Sequence, residues 1–158
     1  MDVSQSLNPF ENVTRQALLN EQQEIRKLAA RDREVRAHEQ AHAAVGGVHA
    51  GHPHYQYTNG PNGVRYAVSG HVNIDISEIP NDPSATLQKM QTVARAALAP
   101  AEPSAADRAV AAEANQKAAA ARAELAKESA DRLEGINERE AQTSVIGSAA
   151  GSLIDVIA

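Results

Sequence analysis

The sequence predicts an α+β fold that is mainly α: a long HExxH helix packed on a small antiparallel β-sheet, followed by a long alanine-rich helix. Three observations predict it. From Glu11 to Val45 the chain holds no Pro or Gly, and helix formers dominate. From His52 to Ser77 the hydrophobic period changes from helical to alternating. After Ser104 an alanine-rich run without Pro or Gly continues to Leu133 and meets Gly135.

Residues 1–10 read as a flexible N-terminal arm, with Asn8 placed to cap a helix that Pro9 opens. Residues 11–134 read as one domain. Its first element, 11–46, is one long helix or two with a bend near Asn20. Leu18, Ile25, Leu28 and Val35 are apolar positions along it, and His42 takes the next step of seven. Val35, His38, His42 and Val45 form a stripe at helical spacing, so the histidines continue a core-facing seam. Gly46-Gly47 supplies a C-terminal glycine cap.

Residues 52–77 read as a sheet of two or three strands, with one face on the HExxH helix. His54 to Thr58 is the first strand, Asn59-Gly60-Pro61-Asn62-Gly63 the turn, and Val64 to Val68 the return. Ser69-Gly70 breaks it, and His71 to Ile76 alternates again. There Val72, Ile74 and Ile76 share one face, and His71, Asn73 and Asp75 the other.

Pro80-Asn81-Asp82-Pro83 is a turn and helix start. A helix over 84–99 buries Leu87, Met90, Val93, Ala94, Ala97 and Leu98. Pro100 and Pro103 bracket a connector. Ser104 with Asp107 resembles a capping box with Asp in place of Glu, opening the helix 104–134. Its alanine surface should pack closely on another helix or pair between chains, which makes a helix-mediated homo-oligomer an expected form. Residues 135–158 read as a C-terminal tail or docking helix, with Val145, Ile146, Leu153, Ile154, Val156 and Ile157 as its apolar side chains.

Composition narrows the function. Hydrophobic residues make up 42 % of the 158, but aromatics only 3 %, so the core is thin and built largely from alanine. The net charge of −5 argues against nucleic acid. Arg26, Lys27, Arg31, Arg33 and Arg36 cluster, yet Glu24, Asp32 and Glu34 interleave with them as a solvated helix face pairs its charges, Glu24 with Lys27 and Asp32 with Arg36. With no cysteine, a metal site must use histidine and carboxylate. No secretory signal and no run long enough for a membrane span is visible, and the expected location is cytoplasmic.

The chemistry gathers in one stretch. All six histidines and all three tyrosines fall between His38 and His71. In His38-Glu39-Gln40-Ala41-His42 the two histidines stand four apart, one helical turn above the other, and can offer two nitrogens to one Zn²⁺. Glu39 follows the first ligand, placed to take a proton from a water on that ion.

A catalytic zinc takes three protein ligands and keeps one open position. His71, Asp75 and His49 are the alternatives for the third. His49 misses the metzincin spacing by one residue. His52 and His54 flank Pro53 in a loop and read as surface residues. Tyr66 or Tyr57 is the candidate phenol donor to an oxyanion; packing across the strands is the competing role for each.

The blocks Arg36-Ala37-His38-Glu39-Gln40-Ala41-His42-Ala43-Ala44-Val45-Gly46-Gly47, Tyr55-Gln56-Tyr57, Gly63 to Gly70, Val72 to Asp75, Asp82 to Thr86 and Ala96 to Ser104 occur in order over roughly residues 30–125. This stretch resembles the SprA-related family of bacterial metalloproteases. The resemblance implies a zinc metalloprotease domain, a label that itself rests on HExxH. In the family pattern the position of His71 is usually Glu, in a Gly-Glu-Val block, and that of His49 is not usually His. Glu and His are both zinc ligands, so His71 ranks first, then Asp75, which can instead accept a ring N–H from a ligand histidine, then His49.

The expectation is a zinc-dependent metallopeptidase acting on a protein or peptide substrate, with Zn²⁺ on His38, His42 and His71, and Glu39 as general base. The alternatives are a metal-binding module without turnover and a helical interaction or scaffold protein in which HExxH is fortuitous.

Overall fold

The computed structural model describes the backbone of residues 9–150 and the side chains of residues 10–139. Of the arm expected over residues 1–10, residues 1–8 lie outside the described residues, as do the last tail residues, 151–158, whereas Pro9 and Phe10 already belong to a helix. Helix α1 (Pro9–Gly46) is followed by a 3-10 turn (Gly47–His49), β1 (His54–Asn59), β2 (Arg65–His71), α2 (Pro83–Ala97) and α3 (Ala105–Ala150). The architecture is α+β and mainly helical, with one two-stranded antiparallel sheet.

α1 is one continuous helix through Asn20. Its first half, Phe10 to Glu24, is exposed throughout, and Leu18 with it. Its second half lies on β2 and α2. There the buried positions are Val35, Glu39, His42 and Gly46, four, three and four apart. The expected stripe through His38 and Val45 is therefore rotated: Val45 is exposed and His38 half-buried. A carboxylate and a glycine occupy what apolar patterning reserves for hydrophobic side chains. The helix ends where Gly47 takes a left-handed conformation, φ +53°, one that glycine adopts without steric cost.

β1 and β2 pair from His54↔His71 to Asn59↔Arg65, with a register shift between Gln56 and Tyr57. Ser69-Gly70 does not break the return strand, which continues to His71. The stretch after His71 is not a third strand. It makes a single bridge, Ala50↔Ile74, supported by Gly51 N–H to Asn73 O at 2.8 Å and Asp75 N–H to His49 O at 2.8 Å. The alternation holds all the same: Val72, Ile74 and Ile76 are half-buried, and His71, Asn73 and Asp75 exposed. Asp32 ties α1 to the sheet. Its Oδ1 accepts from Ala67 N at 2.8 Å, and both its oxygens accept from Arg36 Nε at 3.0 Å. The Arg36 guanidinium lies 5.1 Å from the Tyr55 ring centroid and 5.8 Å from that of Tyr57.

Asp82 caps α2, accepting from Ala85 N at 2.8 Å, and Pro83 opens the helix. α2 packs on α3 through Met90, Val93 and Ala94 against Ala114 and Ala118, flanked by Ile74, Ile76, Leu87 and Val110. Leu98, expected inside, is 47 % exposed, because it follows the last turn of α2 and leaves its buried face. α3 runs past Gly135 to Ala150. One glycine inside a helix costs about 1 kcal/mol relative to alanine, too little to end a run of strong helix formers. Among the described residues, α3 buries side chains only in its first half. Ala111, Ala114, Ala118 and Ala121 are buried, whereas after Leu125 every described residue but the half-buried Gly135 is exposed.

Candidate metal centre

The last turns of α1, the strand β2 and the connector into α3 enclose a cavity of about 830 Å³. His38, Glu39 and His42 line one wall, Ser69, Gly70 and His71 another, and Glu102, Ser104 and Asp107 a third.

His42 is 3 % exposed. Its Nδ1 lies 2.9 Å from the carbonyl oxygen of Ala96. A carbonyl only accepts, so Nδ1 carries a proton, and in the neutral ring the lone pair is on Nε2. That nitrogen is 3.2 Å from His38 Nε2. The partner on α2 is within reach because Gly46, one turn further along α1, has no side chain: a Cβ there would sit 3.4 Å from that of Ala96 and 2.5 Å from that of Ala50.

Asp107, in the first turn of α3, reaches both histidines. Oδ2 is 3.4 Å from His38 Nε2 and Oδ1 is 3.4 Å from His42 Nε2, so the carboxylate straddles the pair. The same side chain completes a capping box: Ser104 N–H donates to Oδ2 at 2.7 Å, and Asp107 N–H donates to Ser104 Oγ at 3.1 Å. Burial pushes the Asp107 carboxyl up, but Ser104 and the two histidines outweigh it and hold the group below its ordinary value.

One ligating atom from each of His38, His42 and Asp107 lies within 4.8 Å of the others. Around a tetrahedral zinc, ligand atoms at about 2.0–2.1 Å from the metal stand about 3.3 Å apart. The 3.2 Å between the two histidine nitrogens matches that edge; the two 3.4 Å approaches use different Asp107 oxygens, so the carboxylate would hold an ion through both oxygens or turn to offer one. Two imidazoles and one carboxylate are a donor set that could hold a divalent metal ion.

Glu39 is 5 % exposed yet makes no hydrogen bond or ion pair among the described residues. No buried side-chain oxygen among them is both sealed from solvent and unpaired, so the Glu39 carboxylate opens on the cavity that it lines. It is held by shape. Gly70 of β2 approaches so closely that a Cβ there would meet Glu39 Cγ at 2.7 Å and Oε1 at 2.9 Å. Glycine in this strand marks a close approach, which is why it does not act as a breaker.

His71 lines the same cavity, but its ring is exposed and stacks on His54, with centroids 5.2 Å apart and planes 19° apart. The side chain placed with His38 and His42 is Asp107. Asp75 is engaged elsewhere, accepting from Lys89 Nζ at 2.7 Å and from Ser77 N–H and Oγ. The Lys89 ammonium, then Ser77, hold its carboxyl well below the usual carboxylate range. Neither Asp75 nor His49 lines the cavity. Tyr66 is at the far end of the hairpin, its hydroxyl accepting from Asn62 Nδ2 at 2.9 Å. Tyr57 is 40 % exposed, with the Arg65 guanidinium 4.6 Å from its centroid. Tyr55, opposite Gly70 in the register, is the tyrosine that feels Glu39: burial raises its phenol, Arg36 opposes that, and the Glu39 charge adds to the rise.

The family model described as SprA-related family matches residues 7–157. The chain belongs to the SprA-related family. The match covers nearly all of the sequence, including the exposed first half of α1 and the length of α3. Within this SprA-related chain, the HExxH turn and the Ser104–Asp107 cap are far apart in sequence and adjoin in space. No curated protein and no solved structure matches the chain.

Proposed function

We propose that this SprA-related protein is a zinc-dependent hydrolase of peptide bonds, with His38, His42 and Asp107 as metal ligands and Glu39 as general base. The observation that carries the reading is the directed His42 ring. Its Nδ1 faces Ala96 O, which turns Nε2 toward His38 Nε2 at 3.2 Å and Asp107 Oδ1 at 3.4 Å, close enough for the three side chains to share one ion. When bound, zinc supplies a Lewis acid that polarises the scissile carbonyl and makes a bound water acidic.

The residues divide the remaining work. Ala96 O fixes the orientation of His42. The Ser104 backbone N–H fixes that of the Asp107 carboxylate. Glu39, free of hydrogen bonds and next to His38 in the chain, takes the proton from the attacking water and returns it to the leaving amine. Gly70 keeps the space in which Glu39 sits. A largely buried carboxylate without a partner is costly to a fold, and such costs collect where function requires them.

Glu39→Gln is the test, because it preserves shape and removes the base. The expected result is stoichiometric zinc by elemental analysis and no cleavage of a peptide library that the unaltered protein cuts. Loss of zinc together with activity would remove Glu39 from the role of base. An unaltered protein that binds zinc and cuts nothing would replace this reading with that of a metal-binding module.

A further inference from the structure

We propose that Glu102 makes the site selective for substrates carrying Lys or Arg beside the bond that is cut. The inference rests on the hydrolase reading above and adds a substrate class to it. It comes from the charges that line the cavity. The carboxylates are Glu34, Glu39, Glu102 and Asp107, and Arg31 is the one permanent cation among the lining residues. Arg31 NH1 lies 3.7 Å from Glu34 Oε2, and its Nε donates to Val68 O at 3.1 Å, so Arg31 is fixed beside the sheet and offsets Glu34. A bound dication offsets Asp107 and Glu39. Glu102 is left over. Among the described residues it makes no ion pair or hydrogen bond, and it is exposed on the connector just before the cap residue Ser104.

A peptide entering this cavity therefore meets one uncompensated negative charge on the same connector that leads to Asp107. The connector residues before it, Ala99, Pro100 and Ala101, are apolar and offer no competing charge. A cationic side chain beside the scissile bond is attracted there and an anionic one repelled. Exposed charge pairs interact weakly, and the contrast between attraction and repulsion predicts a ratio of about fivefold.

The test uses the zinc-loaded full chain and peptides identical but for Lys, Gln or Glu at one position flanking the bond cut. The Lys peptide should exceed the Glu peptide about fivefold in kcat/KM, and the ratio should shrink toward one in about 0.5 M salt, where the screening length falls to a few ångströms. Glu102→Gln should flatten the ratio and Glu102→Lys should reverse it, with zinc content unchanged in both. Cleavage with the same ratio in all three proteins, or a preference for the Glu peptide in the unaltered one, overturns the role of Glu102 and leaves the hydrolase reading standing. Absence of cleavage of every peptide overturns both.

Discussion

The proposed function gives the Asp107 carboxylate a second job beside its cap, and substitution can separate the two. As a cap it satisfies Ser104 N–H at 2.7 Å. As the proposed ligand it faces His38 and His42 at 3.4 Å. Ser104→Ala removes the hydroxyl that accepts from Asp107 N–H and leaves the carboxylate in place. Losing such a cap costs about 1 kcal/mol of stability. Asp107→Asn keeps an oxygen able to accept from Ser104 N–H but loses the charge. It forfeits the interaction of a carboxylate with the helix N-terminus, about 0.3–1 kcal/mol, and exchanges an anionic zinc ligand for a neutral one. Altering groups that merely orient zinc ligands lowers affinity roughly 10–100-fold, so loss of the ligand itself should exceed about 100-fold. Chelator-competition titration gives the zinc affinity, and denaturant melts of the metal-free proteins give the stability. The expected pattern is crossed: Ser104→Ala less stable with zinc affinity within a few-fold of the unaltered protein, Asp107→Asn nearly as stable with zinc affinity collapsed. Wild-type zinc affinity in Asp107→Asn would reduce Asp107 to a cap and refute the three-residue site.

Other expected outcomes test the frame around that centre. Met90 is fully buried between α2 and α3, and Met90→Ala should cost about 2–5 kcal/mol in a chemical melt; a loss under about 1 kcal/mol would mean that the alanine-lined contact is not where the stability resides. Gly70→Ala drives a methyl into Glu39 and into the carbonyl of His54, at 2.9 Å, so hydrolysis should fall at least tenfold while zinc stays bound, and unchanged turnover would show that Glu39 is not set by that contact. The lowered Asp75 carboxyl stabilises the fold fully above its ordinary value of 3.8 and loses that contribution as pH falls through the lower folded value. Asp75→Asn should therefore melt earlier than the unaltered protein at pH 6, with the gap closing in strong acid; a gap independent of pH would assign the effect to packing of Lys89.

The sequence made one half of the centre readable and hid the other for a physical reason. Residues four apart on a helix share a face, so His38 and His42 could be paired without coordinates. Asp107 had already an adequate local explanation, the capping box with Ser104, and that explanation is correct as far as it goes. Nothing in the spacing says that a cap also faces two histidines across the fold. The signal that existed was the short Asp where a cap favours Glu. Glu39 and Gly46 were displaced from the buried seam for a related reason: patterning assigns a face by hydrophobicity, and here the face holds a carboxylate that lines the cavity and a glycine at a close helix approach.

The placement of Asp107 also explains how elements with little mutual contact come to share a site. α2 packs extensively on α3, and α1 packs on β2 and α2, whereas α1 and α3 barely touch. The His38 and His42 contacts to Asp107 are where the two long helices meet. An ion held there would cross-link elements that the apolar core connects only through α2, and binding to the folded form alone would raise stability with metal concentration. Zinc should thus raise the melting temperature of the unaltered protein and of Glu39→Gln alike, but not that of Asp107→Asn. An equal rise in all three would place the ion away from the junction of α1 with α3.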